Sequence, residues 1–229
     1  MTGRQGDIIE QYHAFVGRKD FPCIAAQAAL ARDQIRILVC GHLACPKDDM
    51  TITKFLQSFV SEYRQTTRLY NSAVVIFDGP EDCTEEEFDQ LMWRRLQSIS
   101  DHDSKSFNWD SRVASDPADR NFSFSIAEEA FYIIGLHPGS SRRARRFQHP
   151  ALVFNPHNQF ELLRESGKYS VMKDSVRKRD HQFSGSVNPM LADFGRSSEV
   201  FQYSGRAYEH DWKCPFVSKH ERDQHHTTT

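Results

Sequence analysis

The stretch SAVVIFDGPEDCTEEEFDQLMWRRLQSIS, residues 72 to 100, carries the reading of the fold. Its first six residues are an apolar, β-branched run too short for a buried helix, which predicts a strand. Gly79 and Pro80 then interrupt the run, and Thr84 with Glu87 has the spacing of a capping box ahead of Phe88, Leu91, Met92 and Leu96. Strand, turn and capped amphipathic helix therefore follow one another. Upstream the same order occurs: IRILVC (35 to 40), the polar PKDD, then Ile52, Phe55, Leu56, Phe59, Val60 and Tyr63 at helical spacing. Ile8, Ile9, Tyr12, Phe15 and Val16 predict an N-terminal helix, and FPCIAAQAALAR a second with Pro22 in its first turn. Downstream, FSFSIAEEAFYIIGL reads as one bent strand or a hairpin and PALVF (150 to 154) as a further strand. Gln159 to Arg164 is helical in pattern, and the charged segment KDSVRKRD follows. Residues 100 to 121 are polar and aperiodic, which predicts a long surface loop suited to a lid; beyond 184 loops with short elements are expected.

Four strand candidates among helices predict the α+β class, a single domain with a mixed or antiparallel central sheet and flanking helices. Residues 1 to 217 form that domain, and 218 to 229 are expected to be a flexible tail. At 229 residues one core suffices. With 29 basic and 31 acidic side chains the formal charge is -2, so no global field favours nucleic acid or anionic lipid. No apolar run approaches the roughly 20 residues that span a bilayer, and the N-terminus lacks a signal-peptide pattern, so no membrane is expected and the location is expected to be cytoplasmic. Five scattered cysteines without CxxC argue against a disulfide framework or zinc ribbon and for reduced thiols. Dinucleotide, P-loop, nucleophile-elbow and HExxH motifs are all absent from the sequence.

The densest chemical signal is GLHPGSSRRARRF, residues 135 to 147. His137 at a strand end, stiffened by Pro138, suits a metal ligand or general base, or a hydrogen bond to backbone. Arg142, Arg143, Arg145 and Arg146 offer planar cations for carboxylates or phosphates, although their spacing denies all of them one helical face, so at least one is structural. A second signal is QYSGRAYEHDWKCPF (202 to 216), where Cys214 before Pro215 and among aromatic residues could place a thiolate beneath a flat ligand, or be a buried thiol. FNPHNQF (154 to 160) and SVNPM (186 to 190) are foremost Asn-Pro turns, with His157 and Asn188 as candidate polar contacts. Cys23, on an alanine-rich helix, reads as packing more readily than as a ligand.

FPC before an alanine-rich helix, FDGP, GLHPGSSRRARRF, ALVFNPH, SVNPML, QYSGR and CPF occur in this order. In these motifs the chain resembles the YqcI/YcgG family from about residue 10 to 217. That family includes haem proteins of natural-product pathways, among them the guanitoxin-pathway N-hydroxylase and the arginine-hydroxylating haem protein of cycloserine biosynthesis. The resemblance implies a haem-dependent monooxygenase that N-hydroxylates a guanidine or amine such as arginine, with haem b as cofactor and dioxygen or peroxide as co-substrate. In that reading Arg142, Arg143 and Arg146 clamp the haem propionates and His137 ligates the iron, with Cys214 as the alternative ligand and Cys23 or His157 next. Glu128, Glu129 and Asp193 are candidates for pairing a guanidinium substrate. A small-molecule substrate, an electron-donor reductase and a homodimer are the partners considered. The competing expectation is a haem carrier or sensor without turnover, and a third is a haem-free protein holding an anionic metabolite on its arginines.

Overall fold

The computed structural model describes residues 3–66, 69–185 and 195–220. Alternation along the apolar runs sets its layers. In β2 (Ser72–Gly79), Ala73, Val75 and Phe77 point to one face of the sheet while Val74 and Ile76 point to the other. In β5 (Ala151–Pro156), Leu152 and Phe154 take the first face and Ala151 and Val153 the second; in β4 (Glu129–Leu136), Phe131 and Ile133 oppose Ile134 and Leu136. Strands covered on both sides read as continuous apolar runs, which is why SAVVIF shows no polar alternation. With β1 (Ile35–His42) and β3 (Phe124–Ile126) these strands form one sheet in the order β1-β2-β5-β4-β3. The β1–β2 pair is parallel and the remaining pairs are antiparallel, so the sheet is mixed.

The parallel pair needs a crossover, supplied by α3 (Asp49–Arg64). It packs beside α4 (Glu85–Asp103) on the first face, where Leu56, Phe59, Met92, Trp93 and Leu96 are buried. Thr84 caps α4 as the sequence predicts: its hydroxyl accepts from the Glu87 amide at 3.2 Å while the Glu87 carboxylate accepts from the Thr84 amide at 2.8 Å. On the second face lie α1 (Gly3–Gly17), through Ile8, Tyr12, Phe15 and Val16, and α2 (Ile24–Ala31). Two layers of helices around one mixed sheet make a single α+β domain, completed by α5 (Asn158–Glu165), α6 (Lys168–Ser184) and α7 (Val200–Tyr203).

Several elements differ from expectation. Pro22 precedes α2; its N-cap is Cys23, extended in backbone, whose sulfur accepts from the Ala26 amide at 3.4 Å. The run from 122 to 136 is a hairpin whose turn residues, Ala127 and Glu128, both have positive φ (51° and 59°). That turn lacks the usual glycine or asparagine. Tertiary bonds hold it instead: Asp103 accepts from the Ala127 amide at 2.9 Å, and Arg64 donates to the carbonyls of Ala127 and Glu128 at 2.9 and 2.8 Å. The polar loop after α4 is no lid, because Trp109 packs against Phe122, Phe124 and Phe216 and buried Asp110 accepts from Arg112 and from the Ala130 amide. KDSVRKRD, read only as charged, lies within the 17-residue helix α6. The expected tail from 218 begins inside the fold, since His220 is buried with Nε2 3.3 Å from Asp103 Oδ2. Asn188 and Asp193 lie outside the described residues.

Gly135 ties three elements together. A Cβ there would stand 2.6 Å from the Phe88 ring of α4 and 3.1 Å from the Tyr203 carbonyl of α7. Gly135→Ala is therefore expected to destabilise the fold by about 1 to 3 kcal/mol through overpacking. Urea unfolding should show a lower midpoint at unchanged slope, with part of the loss recovered by adding Phe88→Leu; wild-type stability would contradict this packing.

Candidate functional site

Strand β4 delivers His137 to the sheet end, yet the ring turns inward: the residue is 1% exposed. Its imidazole lies flat on Phe88, centroids 4.3 Å apart and planes 14° off parallel, and Nδ1 sits 4.0 Å from Cys83 Sγ. The turn is drawn tight around it. Its backbone amide donates to the Arg145 carbonyl at 3.1 Å, and Gly139 passes so close to the Cys83 carbonyl that any Cβ would collide. Burial pushes the imidazole down from its usual 6.5 to about 4, with Glu85 opposing and Arg145 assisting the shift. His137 is thus a neutral ring inside the fold.

The arginines do not converge on a common point. Arg142 pairs with Asp180 of α6 at 2.6 Å. Arg143 donates to the Phe183 carbonyl at 3.1 Å and covers the Phe183 ring at 4.8 Å. Arg145 is half-buried and donates to the carbonyls of Tyr203 and Gln202, each at 2.7 Å. Arg146 donates to the Ser140 carbonyl at 2.8 Å within its own turn. RRARR fastens α6, α7 and the His137 turn to one another. Arg145, the one arginine outside the expected clamp, is half-buried like Arg142, whereas Arg143 and Arg146 are exposed. Planar donors fixed on backbone carbonyls suit this bracing role.

Cys214 packs against the aromatic cluster of the first face, and burial pushes its thiol up to about 12, the Phe216 amide opposing. Its neighbourhood is polar as well: buried Asp89 accepts from Trp93 at 3.1 Å and from the Tyr208 hydroxyl at 2.5 Å, and Tyr208 meets Ser204 at 2.8 Å. Glu129 is buried and held by Arg112 at 3.1 Å and Arg64 at 3.6 Å, whereas Glu128 is exposed at the hairpin tip. His157 stands 3.4 Å from Glu199, which also accepts from Ser123 at 3.0 Å.

A different group of residues meets on the second face. Cys23 is half-buried at the head of α2, an apolar helix (IAAQAALA) of which only Ala29 is buried. Ala26, Leu30, Ile37, Val39 and Ile134 are likewise half-buried there. Arg179 of α6 brackets the FPC loop, donating to the carbonyls of Lys19 at 2.9 Å and Phe21 at 2.8 Å and to Gln27 at 3.2 Å. Burial raises the Cys23 thiol, while the amides of Ala26 and Ala25 and the Arg179 charge act in the opposite direction. FPC next to an apolar helix was the available sequence signal; Arg179, inside a charged segment, and Tyr12, inside a core stripe, gave none.

Because His137 binds fewer protons folded than unfolded between pH 4 and 6.5, stability is full above 6.5 and falls as pH drops toward 4. The His137 share is on the order of 1 to 3 kcal/mol. His137→Gln should flatten that part of the pH dependence in urea melts; an unchanged profile would mean that the ring does not carry it.

A family model described as YqcI/YcgG matches residues 12–217. The chain is 32% identical over 209 residues to YcgG of Bacillus subtilis (strain 168), covering 86% of this chain and 80% of that protein. It is 28% identical over 229 residues to YqcI of the same organism, covering 95% and 89%. Both relatives are described as uncharacterized. No solved structure matches. The match spans the sheet, the His137 turn and the Cys23 loop, and the chain belongs to the YqcI/YcgG family.

Proposed function

We propose that this protein is a haem-dependent N-oxygenase of a small guanidine- or amine-containing compound. The reading starts from the family resemblance, and the observation in its favour is the second-face cluster: a cysteine heading an apolar, half-exposed helix above an apolar sheet face. A porphyrin asks for an apolar wall and one axial donor, and this donor set supplies both. The arrangement at His137 does not fit. Its ring is covered by Phe88, and Arg142, Arg143 and Arg146 already hold Asp180, the Phe183 carbonyl and the Ser140 carbonyl. The propionate clamp is therefore no part of the proposal.

Bound haem would supply oxygen activation, and the rest is for the polypeptide to do. Ala26, Leu30 and Ile134 exclude water from a flat ligand, and Arg179 fixes the loop that carries the donor. Glu129 is engaged by two arginines, so it holds the hairpin in place and does not receive a guanidinium substrate. The overall reaction inserts one oxygen atom of dioxygen into an N–H bond and reduces the other to water. Two electrons come from a partner reductase and two protons from solvent; with peroxide no external electrons are needed.

Titrating the protein with haemin should produce a saturable Soret band at one haem per chain. The reduced, loaded protein incubated with arginine and dioxygen, or with peroxide, should yield a product one oxygen heavier. Absence of stoichiometric haem uptake would sink the proposal, and haem uptake without oxygen transfer to any guanidine or amine tested would leave a carrier or sensor.

A further inference from the structure

We propose that strand β1 is the interface of a homodimer, pairing antiparallel with β1 of a second copy across a two-fold axis at Leu38. The sheet order leaves β1 and β3 at the edges. The β3 edge is blunted: it has three residues, and its Phe124 amide donates to the Tyr203 hydroxyl at 3.1 Å. By contrast β1 runs for eight residues without proline and with Arg36 as its one charged side chain. Long, apolar edges of this kind are the ones that folded chains ordinarily cover or pair.

The register fixes which backbone groups the edge offers. Ile35 pairs with Ser72, and the Ser72 amide donates to the Gln34 carbonyl at 3.1 Å. Alternate residues of a parallel strand turn both backbone groups to the same side, so Gln34, Arg36, Leu38 and Cys40 face β2 while Ile35, Ile37 and Val39 face outward. The outward amides and carbonyls of these three residues meet no partner among the described residues. The next outward amide, that of Gly41, is closed by Asp48 Oδ2 at 2.8 Å. Ile37, Leu38 and Val39 are half-buried, so apolar surface flanks the open groups on both faces of the sheet.

A second copy fits this edge in hydrogen bonding and in charge. With the axis at Leu38, Ile37 of each copy lies opposite Val39 of the other, and each such pair exchanges its free amides and carbonyls. Leu38 meets its own counterpart on the first face. The same register sets Arg36, whose side chain is 51% exposed, opposite Cys40 of the second copy, one residue from the Gly41 amide and the Asp48 carboxylate that accepts from it. Asp48 forms no salt bridge among the described residues, so the guanidinium of the second copy complements it, twice by symmetry. The two-fold closes the assembly, whereas a parallel, head-to-tail addition would leave a new edge open.

The test measures mass by sedimentation over a wide concentration range for the wild type and for Val39→Pro. The Val39 amide faces outward, so proline removes no ladder bond and the native near-ultraviolet dichroism should be kept. The wild type is expected to be dimeric, and Val39→Pro monomeric at the same concentrations. Leu38→Cys in a Cys45→Ser background, treated with oxidised glutathione, should give a disulfide-linked dimer, because facing residues of an antiparallel pair that are not hydrogen-bonded have Cα atoms about 4.5 Å apart. Val171→Cys, 72% exposed on α6, should stay unlinked in that background. Arg36→Glu should weaken the dimer, and adding Asp48→Lys should restore it. A wild type that is monomeric at every concentration would overturn the proposal. So would a dimer that survives Val39→Pro with native dichroism, or that links through Val171→Cys and not through Leu38→Cys, since its contact would lie on another surface.

Discussion

The structure depends on covering the central strands β2, β5 and β4 on both faces at once. Val74, Val75, Ile76, Leu152, Phe154 and Ile133 are all buried, and each fully buried side chain of this kind contributes about 1.5 to 3 kcal/mol. Removing either helical layer would expose half of that surface. The cover on the first face brings α4 so close to β4 that only glycine fits at position 135, and the strand carries His137 directly beneath Phe88. The inward turn of the histidine is thus a consequence of sheet packing. On the second face the cover is thinner: α2 buries Ala29, leaves Ala31 exposed and its other residues half-buried.

Charge is organised around the same layers. Arg95 and Asp49 form an ion pair in the core, with Arg95 also donating to the carbonyls of Leu43 at 2.5 Å and Cys45 at 2.6 Å. Asp110, Arg112 and Glu129 close the polar loop onto β4, and Asp103 gathers Gln57, the Ala127 amide and His220. Buried charges left single would be strongly destabilising, so each pairing restricts which loop can lie where. The arginine-rich turn obeys the same rule. Its guanidiniums reach outward from one short segment to α6, α7 and the turn itself, which makes them braces between elements that share little apolar contact.

Much of this was legible in the sequence. The strands near 35, 72 and 150 and the capped helix after Thr84 followed from period and capping alone, because these elements are decided by local burial; the sheet was legible only as mixed or antiparallel, since strand pairing is decided by contacts distant in sequence. The turn at Ala127 and Glu128 was not, since its positive φ values are held by Asp103 and Arg64, distant in sequence. The polar loop after α4 also escaped, because charge that looks solvated can be buried once paired. The functional residues divide in the same way. His137 stood out as a motif, but its accessibility was set by Phe88, 49 positions earlier in the chain. Cys23, read as packing more readily than as a ligand, does pack against the second-face core and caps α2 through its sulfur, a role the sequence did not signal.

Electrostatics explains why thiol and imidazole are not interchangeable here. Desolvation holds both in their neutral forms, the imidazole by loss of its proton and the thiol by retention of it. For His137 neutrality is the end state, stabilised by contact with Phe88, and a cation brought to it would have to displace an aromatic face. For Cys23 neutrality is conditional. Two backbone amides and Arg179 already favour the anion, and only dehydration opposes it.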